Sequence, residues 1–150
     1  MSLTKILLKE NTTNKNVIYH FTQNLDSLLY ILDSDSLQSG SFNKMFGMGY
    51  DNISFTWNPD LWDIEYVGDE EDRYTVRISF DYSKISNEWN FKEFNYGIAE
   101  EQEEIVEEDE MNGILKYVTE ILISSEESKM EIENIKKRYP QLNVKVINRK

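Results

Sequence analysis

Three short stretches of this 150-residue chain carry side chains suited to chemistry. Tyr19-His20-Phe21-Thr22 holds the only histidine, at the end of an apolar run and directly before helix-capping residues. A strand end that turns into a helix lies at the rim of a sheet, where open folds bind ligands; a neutral imidazole there can donate to a ribose hydroxyl without adding charge. A lone histidine beside aromatics is equally at home as a structural hydrogen-bonding group. In Ser54-Phe55-Thr56-Trp57 a strand would set Ser54 and Thr56 on one face and Phe55 and Trp57 on the other, hydroxyls toward a polar ligand and rings toward a core. A half-buried strand with Ser and Thr facing water has the same pattern. The third stretch is Glu100-Glu101-Gln102-Glu103-Glu104-Ile105-Val106, within a run where eight of eleven residues to Glu110 are acidic. Such runs are usually solvated. As a strand it would point Glu101, Glu103 and Ile105 one way, and two carboxylates on one face can serve acid/base chemistry or stabilise a cationic, sugar-like transition state.

The elements that must position these residues follow from periodicity. Residues 16–21 are β-branched and aromatic and predict a short strand. Thr22 and Asn24 can cap a helix on which Leu25, Leu28, Leu29 and Leu32 form one apolar stripe, with Ser39-Gly40 as a stop. Residues 52–57 predict a strand closed by Asn58-Pro59, and residues 60–72 a polar loop. Residues 73–82 alternate cleanly, with Tyr74, Val76, Ile78 and Phe80 against Arg73, Thr75, Arg77 and Ser79. Ile105-Val106 reads as the buried centre of a strand flanked by carboxylates, and residues 115–124 as another strand. Ser125 opens a helix whose Lys136, Lys137 and Arg138 complement its C-terminal dipole before Pro140, and residues 143–148 form a closing strand.

Composition narrows the class. The chain has no cysteine, which removes disulfide frameworks, thiolate nucleophiles and thiolate metal sites, and makes a cytoplasmic location the expectation. No run approaches the ~18 apolar residues of a membrane span, and one domain over residues 1–150 is expected, with no metal and no membrane partner. Net charge is -12, but it is uneven: residues 51–133 carry 24 acids against six bases, a balance of -18, whereas residues 1–50 are neutral and 134–150 carry six bases and no acid. That balance disfavours nucleic acid as a partner, since gripping a phosphate backbone needs a surplus of Lys and Arg. It favours a basic protein partner for the acidic middle.

Taken in order, a strand with His20-Phe21-Thr22, a leucine-striped helix, an Ile53-Ser54-Phe55-Thr56 strand, an Arg-containing strand and Glu103-Glu104-Ile105 resemble the ADP-ribosyltransferase fold family over roughly residues 17–123. The likeness is to small uncharacterised bacterial and phage members, with RNA 2′-phosphotransferases and mono-ADP-ribosyltransferase toxins as more distant relatives, and it implies a phage or bacterial regulator, toxin or anti-defence factor. It implies an α+β fold of split antiparallel β-sheets with flanking helices and a cleft that binds NAD as substrate. It assigns NAD binding to His20, Phe21, Thr22, Ser54, Phe55 and Thr56, catalysis to Glu103 with Glu101 as the outer acid, and a protein as the ADP-ribose acceptor. Trp57 stands where small relatives commonly have an arginine that would meet a phosphate, and the resemblance leaves Arg73 or Arg77 as substitutes for it. The alternative within the same scaffold is an inactive acidic protein that engages a basic partner by mimicking nucleic acid.

Overall fold

A computed structural model describes residues 16–39, 52–63, 74–94 and 102–148. Among these residues nine stretches form strands: β1 Val17–Thr22, β2 Ser36–Gln38, β3 Ile53–Thr56, β4 Val76–Asp81, β5 Phe91–Glu93, β6 Glu103–Val106, β7 Glu110–Asn112, β8 Val118–Ser124 and β9 Val144–Ile147. Three described helices join them, α1 Leu25–Ser34, α2 Tyr82–Glu88 and α3 Lys129–Arg138. Each starts at a side chain that accepts an otherwise unpaired backbone N–H: Asn24 from Ser27 at 2.9 Å, Asp81 from Lys84 at 3.3 Å and Ser128 from Glu131 at 3.4 Å. Asp35 ends α1 in the left-handed region at φ 50°, a conformation that short polar side chains tolerate. None of these helices is long and apolar enough to cross a membrane.

The capping chemistry also explains where the elements depart from the periodicity. The strand expected through residue 82 stops at Asp81 because that carboxylate caps α2. Residues 115–117 form a 3₁₀ turn, closed by Tyr117 N–H to the Ile114 carbonyl at 3.0 Å, so β8 begins at Val118. The last helix is capped by Ser128 rather than Ser125, because residues 125–127 form a turn, closed at 3.0 Å between the Ser124 carbonyl and the backbone N–H of Glu127. The Glu127 carboxylate accepts the backbone N–H of Leu25 at 2.9 Å and the Thr75 hydroxyl at 3.2 Å, tying the turn after β8 to the start of α1.

Seven strands make one sheet in the order β5-β6-β3-β1-β4-β8-β9, antiparallel except for β8 with β9, while β2 and β7 form a separate antiparallel ribbon. The coarse α+β class is therefore as expected, but the two halves are a single connected sheet rather than two. Their connection is thin. β1 pairs with β4 at six positions and with β3 at one, Tyr19↔Thr56.

The two faces of this sheet differ. Ile18, Ile53, Phe55, Val76, Ile78, Phe80, Ile121 and Ile123 pack beneath Leu25, Leu28 and Leu32 of α1, Ile85 of α2, and Ile132 and Ile135 of α3. Full burial of each such side chain contributes roughly 1.5–3 kcal/mol. The other face carries a smaller apolar group, Phe21 with Leu61 and Trp62 from the 3₁₀ turn Leu61–Asp63, and it is on this side that the sheet presents Tyr19, Ser54, Thr56, Arg77, Glu103 and Glu120.

Candidate functional site

Cross-strand register brings residues far apart in sequence into one row. Tyr19 faces Thr56 across β1 and β3, and Thr56 faces Glu103 across β3 and β6. Side chains paired in this way share a sheet face. Ser54, two residues before Thr56, lies on the same face, and its hydroxyl donates to the Glu103 carboxylate.

Beyond Tyr19↔Thr56 the β1–β3 ladder stops, and a side chain takes over. The Ser54 carbonyl, which a continuing ladder would give to a backbone N–H of β1, lies 2.8 Å from His20 Nδ1. The imidazole also packs on Phe55, with ring centroids 5.7 Å apart. The two strands part there, and residues that alternation assigns to the core face reach the opening. The result is a cleft of about 260 Å³ lined by Tyr19, His20, Phe21, Ser54, Phe55, Thr56, Leu61, Tyr74 and Glu103.

One wall of the cleft is aromatic and the other polar. Phe21 stands against Tyr74 and Trp62 with centroids 5.8 and 5.5 Å away. Local polar turns fix the approach of Leu61: the Thr56 hydroxyl accepts Asn58 N–H at 3.0 Å, and the Asn58 side chain accepts Asp60 N–H at 2.9 Å. Arg77 anchors this wall from the side. Its guanidinium lies 4.7 Å from the Tyr19 ring centroid, donates through Nη1 to the Pro59 carbonyl at 2.9 Å, and pairs through Nη2 with Glu120 at 3.4 Å.

Electrostatics follow from this packing. His20 keeps some accessible surface, yet the protein crowding its ring lowers its pKa below the ordinary 6.5 by desolvation, opposed by the hydrogen bond to the Ser54 carbonyl. The imidazole is therefore neutral near pH 7, with Nδ1–H as donor to that carbonyl and Nε2 as acceptor. On the opposite sheet face the Trp57 indole donates to Glu104 and its ring meets Tyr82 at 4.7 Å. Burial, then the Glu104 charge, raises the Tyr82 pKa.

Of the residues singled out in the sequence, His20, Phe21, Ser54, Phe55, Thr56 and Glu103 come together around the cleft. Thr22 does not line it; it pairs with Val76 at the end of β1, where its carbonyl accepts Thr75 N–H at 3.1 Å. Glu101 and Arg73 lie outside the described residues. Gln102, at φ 44°, interrupts the extended backbone just before Glu103, so β6 begins at Glu103 and its alternation starts there. Trp57 faces away from the cleft, and both terminal nitrogens of Arg77 are engaged outside its lining.

Tyr19, Leu61 and Tyr74 also line the cleft, although the resemblance assigns none of them a role. Tyr19 was within reach of the sequence, since alternation puts it on the same face as Phe21. Leu61 enters through a connection that no local pattern encodes, whereas Tyr74, which the alternation of residues 73–82 sets on one face with Val76, Ile78 and Phe80, precedes the strand Val76–Asp81 and packs against Phe21 on the cleft side instead. Chemically, a hydroxyl-supported carboxylate facing aromatic rings suits a ligand with sugar hydroxyls and developing positive charge. Among the described residues, no three His, Asp or Glu side chains converge to hold a metal ion. No protein-family model and no curated protein matches the chain, so the geometry of the cleft is what bears on function.

Proposed function

We propose that the protein is an NAD-cleaving mono-ADP-ribosyltransferase that modifies a protein target. The observation that carries this reading is the shared row of Tyr19, Thr56 and Glu103, with Ser54 bound to Glu103 and His20 at the strand opening, all around one cleft. The thin β1–β3 connection adds support, since the resemblance implies a sheet split at a ligand cleft. Glu103 would hold the nicotinamide-side ribose while the C1′–N bond breaks. The electron pair leaves with the ring nitrogen as neutral nicotinamide, positive charge spreads over C1′ and the ring oxygen, and a nucleophilic side chain of the acceptor adds at C1′ and gives its proton to water. A fixed carboxylate beside the cation stabilises that state without metal or covalent nucleophile.

The test is nicotinamide release from NAD in the presence of host-cell protein. Glu103→Gln should reduce it by about 10²-fold or more while leaving the urea midpoint within experimental error. Undiminished release by this variant, or no release and no NAD binding by the native protein at millimolar concentration, removes the proposal.

A second reading rests on Glu107, Glu108 and Asp109, exposed in sequence between β6 and β7 and part of the acidic middle. In that reading the chain is a binding protein for a basic partner. Replacing Glu107, Glu108 and Glu110 by Lys should abolish capture of such a partner, and capture that survives the reversal argues against it.

A further inference from the structure

The hydrogen-bond ladder between β1 and β3 is unfinished, and both strands lie wholly within the described residues. On β3, the bond from Trp57 N–H to the Gln102 carbonyl at 3.1 Å sets the alternation: Ile53 and Phe55 turn their main-chain groups to β6, Ser54 and Thr56 turn theirs to β1. On β1, the bond from Tyr82 N–H to the Asn16 carbonyl at 2.8 Å does the same, turning Ile18 and His20 to β4 and Tyr19 and Phe21 to β3. Tyr19 therefore pairs with Thr56, and Phe21 with Ser54 is the next rung in that register. That rung is not made. Phe21 N–H, the Phe21 carbonyl and Ser54 N–H point into the gap without a partner on the opposite strand.

The imidazole stands in the place of the missing rung. His20 Nδ1 lies 2.8 Å from the Ser54 carbonyl, on the side from which Phe21 N–H would approach, and the ring packs on Phe55. Closing the rung needs no slip of register, because Tyr19↔Thr56 already fixes it while β4 and β6 hold the two strands from outside. Closure would bring the strands to the ~4.8 Å spacing of a paired ladder. It would also set Phe21 directly across from Ser54, filling the floor of the cleft that both now line. Zipping makes backbone bonds and breaks a side-chain bond, an exchange of like for like. The seat of the ring on Phe55 then decides which arrangement holds.

We propose that His20 is a wedge that keeps the cleft open, and that β1 and β3 zip through Phe21 and Ser54 when the imidazole leaves the Ser54 carbonyl. The sheet then has two arrangements, a parted one with space for a ligand and a closed one without it. A ligand seated between the strands binds only the parted form and draws the population toward it. This role goes beyond that of a ligand contact and holds whether or not the ligand is NAD.

Amide hydrogen exchange of the full chain, resolved by residue with NMR and without ligand, tests the wedge. In the native protein the Phe21 and Ser54 amides should exchange faster than those of Tyr19 and Thr56 by about tenfold or more. In His20→Ala they should slow by about tenfold or more, toward the rates of Tyr19 and Thr56. The sign separates a wedge from a strut, since losing a histidine that merely ties the strands together would speed exchange. Equal protection of all four amides in the native protein overturns the proposal. So does unchanged or faster exchange of Phe21 and Ser54 in His20→Ala while Tyr19 and Thr56 stay protected. Where alanine speeds all four, His20→Val, whose branched side chain favours a strand, is read in its place. Slowing of Phe21 and Ser54 there sustains the wedge, and any other result overturns it, because the strands then need the histidine to stay joined.

Discussion

The two faces of the seven-stranded sheet use the same strands for opposite purposes. On one, Ile18, Phe55, Ile78, Phe80 and Ile121 interlock beneath helices with almost no exposed surface. On the other, Tyr19, Ser54, Thr56 and Glu103 leave a cleft open, and their neighbours are hydrogen bonds and ring contacts rather than a filled core. Strand alternation makes this division possible, because one residue of each pair can serve stability while the next serves a site. The division is also testable: substitutions on the helix-covered face should move stability far more than function, and those on the cleft face the reverse.

The largest expected effect is on the covered face. Phe80 is fully buried and meets Phe55 edge-on with centroids 5.8 Å apart. Phe80→Ala should cost about 3–5 kcal/mol in urea denaturation, enough to unfold a marginal domain. Glu103→Gln on the opposite face should change the same unfolding free energy by no more than ~0.5 kcal/mol. Similar losses for the two variants would break the comparison.

Arg77 stands between these limits, and it sharpens the boundary. It belongs to the cleft face yet is mostly enclosed, holding Tyr19, Pro59 and Glu120 together. Arg77→Met keeps much of the apolar stem but loses the donors and the ion pair, and about 1–3 kcal/mol of stability should go with them. If Arg77 also sets the position of Tyr19, ligand affinity should fall in parallel, whereas Arg77→Lys should recover part of the stability and little of the affinity, lacking the planar fork. Full recovery of affinity by Lys would show that charge, not stacking, is what the wall requires.

The helix starts should yield less. Asn24 accepts Ser27 N–H at 2.9 Å and its side chain also takes the Ser27 hydroxyl at 3.1 Å. Asn24→Ala should cost about 1 kcal/mol, read as a shift of the thermal midpoint. No change would mean that the Glu127 carboxylate on Leu25 N–H holds the end of α1 by itself.

What the sequence made legible was local. The alternation of β4, the leucine stripe of α1 and the apolar centre of β6 each repeat at a short period, and the six cleft residues taken from motifs sit on strands of the same kind, β1, β3 and β6. What escaped depends on chain reversal. β2 and β7 are three residues each and stabilise one another across more than seventy positions, with Asp35 accepting from Gly113 and Leu115 N–H at 2.8 Å each. Neither has a pattern of its own. The single β1–β3 pairing was equally hidden, because it arises from His20 replacing a ladder hydrogen bond, and periodicity reports burial rather than partners.

That replacement gives the smallest effect and the one most specific to the opening. Desolvation lowers the folded-state pKa of His20, so the unfolded chain binds its proton more readily than the folded one. The stability this neutral ring supports is fully present above the ordinary value of 6.5 and is lost as pH falls from there through the lowered folded value. Protonation leaves Nδ1–H on the Ser54 carbonyl but places a cation against Phe55 inside the sheet, at a cost of at most about 1.4 kcal/mol per pH unit. Between about pH 7.5 and 5.5 the carboxylates stay largely ionised, and His20 is the only histidine, so the urea midpoint should fall on acidification in the native protein and stay nearly level in His20→Gln. Equal slopes in the two proteins would show that the ring is not desolvated in the gap, and that β1 and β3 are held apart by something other than the imidazole.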